Sequence, residues 1–327
     1  MIPRTQHDMT KEQQSFDITD ARPRCDAPDN VILTLTLTGT GTPLAAPGRA
    51  GAGVLVECGD TRLQVDTGRG TVLRLAELGL DCTELQAVLL THHHSDHVMD
   101  LADVLITRWV RGATWPLPIV APAGPASRFV EHVLDAFADD IDVRTRHGRR
   151  GGPPQFTCHT FEASPTPVPV WSDGVVEVDA VTVRHEPVVP AVAYRIRAGG
   201  REIVVSGDTR VCDEIECLAA EAAVLVHEVV RVEPVHQTGM HHVAEYHAEA
   251  RALGAMAKRI GVGALVLTHL EPSPTTSSEA GHFADDVRAG GYEGELLVGT
   301  DLASVRVHAG GAVEFDRSAA LAIGQPS

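Results

Sequence analysis

Positive charge is what this chain has least of. Against 44 aspartates and glutamates stand 27 lysines and arginines, only two of which are lysine (Lys11 and Lys258), and the formal net charge is −17. A field of that sign opposes nonspecific attraction to nucleic acid or to an anionic membrane surface. The shortage of lysine by itself implies no function. Long apolar runs are missing as well. No stretch approaches the roughly 18 uninterrupted apolar residues of a membrane span. Residues 1–30 are polar without an apolar core, so no signal peptide is expected and the location is cytoplasmic by default. The six cysteines (Cys25, Cys58, Cys82, Cys158, Cys212, Cys217) are dispersed and contain no Cys-x-x-Cys pair. That excludes a disulfide framework and a zinc finger, and leaves them as mostly buried free thiols.

What remains is a soluble globular chain of 327 residues with 43% hydrophobic content, enough for one large core or two ordinary ones. Residues 1–29 are polar and aperiodic and read as a flexible extension, residues 30–316 as the folded domain, and 317–327 as a tail. From Val31 the leucines at 33, 35 and 37 alternate with Thr34, Thr36 and Thr38, a period-two strand with one polar face that ends in a Gly39-Thr40-Gly41-Thr42-Pro43 turn. Those glycines fit a tight turn as well as an approach to a bound group. Further short strands are expected near 53–57, 62–65, 86–90 and 117–120. Helices are expected near 71–78, 98–109 and 127–138, the last with Val130, Val133, Leu134 and Phe137 on one face.

Residues 145–173, rich in Gly, Pro, Thr and Arg, read as a long excursion between core elements. Arg144, Arg146, Arg149 and Arg150 in or beside it read as a solvated loop, with contact to an anionic substrate as the alternative. Trp109, Trp115 and Trp171 are either substrate contacts or, more commonly, packing residues. The second half repeats the alternation. Strands are expected near 175–183, 191–196, 202–206, 223–226, 264–268, 295–298 and 304–308, and helices near 246–260 and 277–289. Two similar passes favour an α/β architecture of two packed sheets with helices outside, although a doubly wound sheet has the same periodicity.

The chemistry is concentrated in Thr91-His92-His93-His94-Ser95-Asp96-His97, directly after the apolar run Gln86–Leu90. In an extended segment positions i and i+2 point the same way, so His92 and His94 converge while His93 and Ser95 face elsewhere, and Asp96 and His97 turn back toward a second position. Imidazoles and a carboxylate suit borderline divalent ions such as Zn²⁺, and positions left to water make such a site hydrolytic. A single histidine at a strand end is usually just hydrogen-bonded; four ligand types within six positions are not explained that way. Three later stretches each end a strand-like run on a ligand type: His185, Asp208 and His269. Each alone fits a cap or turn. Together with the first cluster they supply seven donors, enough for two ions that share Asp208.

The His-x-His-x-Asp-His pattern with these later residues resembles the metallo-β-lactamase fold superfamily, and within it the ribonuclease Z and arylsulfatase-like branch, over Val31 to about Phe315. The resemblance implies an αββα sandwich with a dinuclear zinc site between the sheets at one edge. It implies that His92, His94 and His185 hold one zinc, Asp96, His97 and His269 the other, and Asp208 both, while Asp66 supports the metal-binding loop. Val226-His227-Glu228 resembles a His-Glu motif of ribonuclease Z-like proteins and His247 their substrate-facing histidine. Val229-Val230 and Ala248-Glu249 depart from the family's usual continuations, and His241 and His242 compete with His247 for its role.

The expected function is therefore hydrolysis of a phosphodiester by zinc-activated water, with Asp96 orienting the nucleophile and His247, poised by Glu228, stabilising or protonating the leaving oxygen. Sulfate-ester, lactone or other carboxylic-ester hydrolysis on the same site is the first rival. A noncatalytic metal-binding protein is the second, and the complete ligand set weighs against it. Ribonuclease Z enzymes that process transfer RNA commonly carry a long arm between the residues matching His185 and Asp208. Here that interval reads as a hairpin, Ala191–Ile196 and Glu202–Ser206 around Gly199-Gly200. With the −17 charge, this favours a small ester or phosphodiester, cyclic nucleotides included, over RNA as the partner. No membrane partner is expected, and a homodimer stays open.

Overall fold

The computed structural model describes residues 33–148, 152–237, 239 and 241–316. The expected N-terminal extension (1–29), Val31 and the tail (317–327) lie outside the described residues. Among the described residues fifteen strands are formed: β1 (Leu33–Gly39), β2 (Gly53–Cys58), β3 (Thr61–Val65), β4 (Ala87–Leu89), β5 (Leu117–Pro122), β6 (Phe156–Phe161), β7 (Val168–Ser172), β8 (Glu177–Thr182), β9 (Val192–Ala198), β10 (Arg201–Val205), β11 (Val224–Val230), β12 (Ala264–Glu271), β13 (Glu295–Val298), β14 (Ser304–Val307) and β15 (Val313–Asp316). One sheet has the order β15-β14-β1-β2-β3-β4-β5-β6, the other β13-β12-β11-β10-β9-β8-β7.

Period-two alternation places the core. Leu33, Leu35 and Leu37 of β1, with Val54, Val56, Leu63 and Val65, meet Val178, Tyr194, Ile196, Ile203, Val205, Val224 and Val226 of the other sheet in one buried layer. The opposite faces are covered by helices. Leu55, Val88 and Ile119 pack with residues of Thr71–Glu77, Leu101–Val110 and Pro125–His132. Val204, Leu225 and Leu265 pack with residues of Asp213–Ala219, Ala250–Ile260 and Ser277–Ala289. The result is the expected αββα sandwich of mixed sheets, and not a doubly wound one.

Three expectations need correction. The 145–173 stretch is not an excursion: it supplies β6 and β7, the edge strands of the two sheets. Its prolines suggested a loop, but Pro169 is compatible with β7 because an edge strand can spare a donor. The helix expected over 127–138 stops at His132, and after a short turn a second helix runs Ala138–His147. There Arg144 pairs with Asp140 and Arg146 with Asp142, so these arginines belong to a solvated helix with i,i+4 ion pairs; Arg149 and Arg150 lie outside the described residues. The polar threonine face of β1 forms as expected and is buried at Thr36 and Thr38, where Thr38 Oγ1 accepts from Gln64 Nε2 at 2.9 Å.

Candidate metal centre

Two sets of parallel strands open at the same edge. β3, β4 and β5 run parallel in one sheet, and β10, β11, β12 and β13 in the other. Asp66 follows β3, His92 follows β4, Asp208 follows β10, and His269 lies in β12. His94 is the N-cap of the helical turn Ser95–Val98, so Asp96 and His97 occupy that turn and swing back toward β12. His269 gets its direction from an irregularity in the sheet. Glu228 pairs with Thr268 and Val229 with Leu270, which leaves His269 as the extra residue of a bulge, with φ +44°. Bulges re-aim side chains in this way, and a left-handed non-glycine backbone at a functional site is strain held by its surroundings. Gly207, at φ +60°, brings the other loop in: a Cβ there would meet Thr91 Cβ at 2.8 Å, so only glycine lets Asp208 approach His92.

The donor atoms of His92, His94, His185 and Asp208 lie within 4.8 Å of one another, and so do those of Asp96, His97 and His269. The Asp208 carboxylate lies between the two groups. It stands 3.8 Å from Nε2 of both His92 and His185, 3.3 Å from His97 Nε2 and 3.5 Å from His269 Nε2. His269 Nε2 is also 3.1 Å from Asp96 Oδ2.

Hydrogen bonds on the far side of the rings set the tautomers. Thr91 Oγ1 donates its one proton to Asp66 Oδ2 at 2.8 Å, so at 3.0 Å from His92 Nδ1 it must accept, and His92 carries its proton on Nδ1. His97 Nδ1 donates to Asp66 Oδ2 at 2.7 Å, and His185 Nδ1 to the Tyr246 carbonyl at 3.2 Å. In all three rings Nε2 is thereby left facing Asp208, the arrangement in which outer hydrogen bonds orient metal-binding imidazoles. Asp66, which also accepts from Thr91 N at 2.8 Å, acts on ring orientation and not as a donor to the centre.

The electrostatics are those of a cluster short of positive charge. Burial opposes ionisation of Asp208, yet His269 and His97 outweigh it and hold the carboxyl well below its usual range. Burial also works against charge on His97 and His269, but Asp208 and Asp96 prevail, raising His97 well above its ordinary value and His269 to about 9. For His92, His94 and His185 burial wins and the pKa falls, in the case of His94 to about 4. His92 Nε2, His97 Nε2 and Asp208 Oδ1 are buried with no hydrogen-bond partner. Such orphaned groups cost about 1–3 kcal/mol each, and divalent ions taking N and O donors would satisfy all three. The residues fit the implied metals.

Beside the centre, His247 Nδ1 donates to Glu228 Oε1 at 2.8 Å, and the same carboxylate accepts from Thr209 N at 2.9 Å and Ala248 N at 3.2 Å. Burial disfavours a charged His247; Glu228, and behind it Asp208, more than offset this and raise its pKa. His247 forms a third close group with Asp208 and His269. Its sequence rivals are elsewhere, since His241 and His242 are exposed on the turn His241–Glu245. His227 is buried with Nδ1 on the Glu228 carbonyl at 2.7 Å and joins none of the three groups. Two of the tryptophans are packing residues: Trp171 lies in the inter-sheet core and Trp109 is buried with Nε1 on the Gly152 carbonyl, while Trp115 is exposed with the Arg108 guanidinium over its ring. Two residues near the centre were not foreseen. Tyr246 has its ring centroid 5.3 Å from that of His185. Asp301 accepts from Thr40 N, Thr40 Oγ1, Ala50 N and Arg74 Nε, fastening the Gly39–Pro43 turn. No sequence signal marks a lone aspartate after a strand as such an anchor.

Comparison with known proteins agrees with this geometry. Residues 54–270 match the family model described as a β-lactamase superfamily domain. A ribonuclease Z of Mycobacterium bovis is 40% identical over 284 residues, which takes in 85% of this chain and 99% of the relative. The chain belongs to the ribonuclease Z family. Among solved structures, the metallo-β-lactamase fold protein YhfI from Bacillus subtilis superposes with a TM-score of 0.64 at 20% identity, covering 84% of this chain and 99% of its own. The short form of human tRNase Z gives a TM-score of 0.62 at 20% identity, over 83% and 98%. These likenesses establish the metallo-β-lactamase fold. The ribonuclease Z match extends nearly end to end, so that relative has no room for a long arm that this chain lacks.

Proposed function

We propose that this member of the ribonuclease Z family is a metal-dependent phosphodiesterase with RNA as its substrate, working with two zinc ions. His92, His94 and His185 would hold one ion, Asp96, His97 and His269 the other, with Asp208 shared. The observation that carries the reading is the gathering of six N and O donors around Asp208, with the Nε2 atoms of three rings turned inward by Thr91, Asp66 and the Tyr246 carbonyl. Bound there, such a pair supplies Lewis acidity toward phosphoryl oxygens and makes water acidic enough to attack near neutral pH.

The chain's own groups do the rest. Asp96 orients the attacking water. His247, with Nδ1 tied to Glu228, offers Nε2 to the leaving oxygen and holds a proton there, because Glu228 favours its charged form. Glu228 fixes that ring and, through Thr209 N, the loop that carries Asp208.

Kinship alters the ranking of substrates. The β9–β10 hairpin is formed around Gly199-Gly200, as expected. It no longer argues against RNA, since the ribonuclease Z relative is covered over 99% of its own length by this chain and so leaves little room for an extra arm. The −17 charge still favours a small ester as the second reading. The test compares precursor transfer RNA with a small aryl phosphodiester, an aryl sulfate and a lactone at physiological salt. Efficient, site-specific trimming of the RNA 3′ end supports the first reading; cleavage of the small ester alone overturns it.

A further inference from the structure

We propose that the Tyr246 ring is the stacking platform for the nucleobase next to the scissile phosphate, with His242 as an outer step. This rests on the phosphodiesterase reading and deepens it. Tyr246 is placed from two sides. Its ring lies 4.8 Å from that of His247, tilted by 50°, and 5.3 Å from that of His185, edge to face at 79°. Its carbonyl takes the Nδ1 proton of His185 at 3.2 Å. The ring is therefore held against both a candidate metal ligand and the candidate proton donor, while remaining half-exposed.

The neighbouring rings continue outward. His242 is exposed, with its centroid 6.3 Å from that of Tyr246. The turn that carries it is tied to the helix Val232–Gln237 through His236 and His241, whose rings are 4.6 Å apart. Exposed His242, half-buried Tyr246 and buried His247 thus form a graded run of planar faces from solvent to the centre. A base laid on Tyr246 brings its own phosphate toward His247 and Asp208. Stacking needs no complementary charge and accepts every base, since each has a π-face. In a chain with a net charge of −17 and two lysines it supplies affinity for single-stranded RNA that a cationic groove would otherwise provide.

The test is the ratio of kcat/KM for a diribonucleotide to that for the same compound lacking the flanking base, measured with metal content. The unaltered chain should favour the base-bearing substrate by roughly 5- to 150-fold, the range for one stacked base on alanine substitution. Tyr246→Leu should bring the ratio close to one, and Tyr246→Phe should keep it. A wild-type ratio in Tyr246→Leu, or a fall in both substrates with the ratio kept, overturns the proposal. So does loss of the ratio in Tyr246→Phe, which would assign the contact to the hydroxyl. One measurement is independent of how variants fold: adenosine 5′-monophosphate should inhibit the unaltered chain better than ribose 5-phosphate by a similar factor, and equal inhibition overturns the stacking. If the unaltered chain cleaves an aryl phosphodiester but neither discriminates between the two diribonucleotides nor between the two inhibitors, stacking alone fails; if it cleaves no phosphodiester, the underlying reading fails as well.

Discussion

Replacing Glu228 with glutamine changes one oxygen to an amide nitrogen at a site that is 1% exposed. The carboxylate receives three donors, Thr209 N at 2.9 Å and His247 Nδ1 at 2.8 Å on Oε1, and Ala248 N at 3.2 Å on Oε2. Glutamine keeps the first two if its oxygen takes the Oε1 position. Its NH₂ then faces Ala248 N, donor against donor, and one buried N–H loses its partner at a cost of about 1–3 kcal/mol. The second effect is electrostatic. Without the carboxylate, the balance at His247 shifts toward burial and its pKa falls, so its proton is lost at lower pH than in the unaltered chain. Turnover near neutral pH should drop by roughly 10²–10⁴-fold, the usual contribution of a positioned acid, and the alkaline decline in kcat should move toward acid. The assays are urea unfolding, elemental analysis for metal, and kcat on an aryl phosphodiester across pH. A variant less stable by the expected amount but with an unshifted profile and wild-type turnover would refute the role given to the Glu228 and His247 pair.

The purified chain should carry close to two zinc equivalents, and His94→Ala or Asp208→Ala should abolish hydrolysis in a folded protein; full activity of His94→Ala on elemental and kinetic assay would mean the register among His92, His93 and His94 is wrong. His247→Ala should retain metal while slowing turnover by roughly 10²–10⁴-fold, and loss of zinc would make it a ligand. Metal uptake at neutral pH should release protons, because His97 and His269, raised above their ordinary values, must give theirs up to coordinate; affinity then rises with pH toward about 9, and calorimetry in buffers of differing ionisation enthalpy that finds no proton release would contradict this. Asp301→Ala should destabilise the fold by roughly 2–6 kcal/mol in urea, since it leaves the buried Thr40 and Ala50 N–H groups without their acceptor at about 1–3 kcal/mol each, while Arg74 keeps its pair with Glu77; a loss below about 1 kcal/mol would show that water replaces the carboxylate.

Contiguity decided what the sequence revealed. His92, His94, Asp96 and His97 sit within six positions, and the structure brings them to one place as a strand end followed by a helical turn. The helix Ser277–Ala289 has the expected bounds, and its first turn is fixed locally by a capping box of Thr276 and Glu279. Features created by pairing across the fold were not legible. The bulge at His269 exists only because β11 and β12 slip by one residue. β6 and β7 lack a clean alternation because each is an edge strand, and Pro169 within β7, with the prolines at 153, 154, 165 and 167 outside the two strands, hid them. The helix Ala138–His147 buries one residue, Ile141, and is carried by ion pairs that look like any charged loop when read in a line.

The division of the centre between two sheets also has a bearing on the chain while it is being made. Residues up to 97 bring four of the seven candidate donors, all beside the first sheet, but the central carboxylate, Asp208, and the final imidazole, His269, come much later. A growing chain therefore has no closed centre until β12 has been added beside β11. The helix Ser277–Ala289 and β13, β14 and β15 are still to follow at that point, so a chain cut short before residue 269 lacks the last donor, whereas one cut short after it carries the whole set.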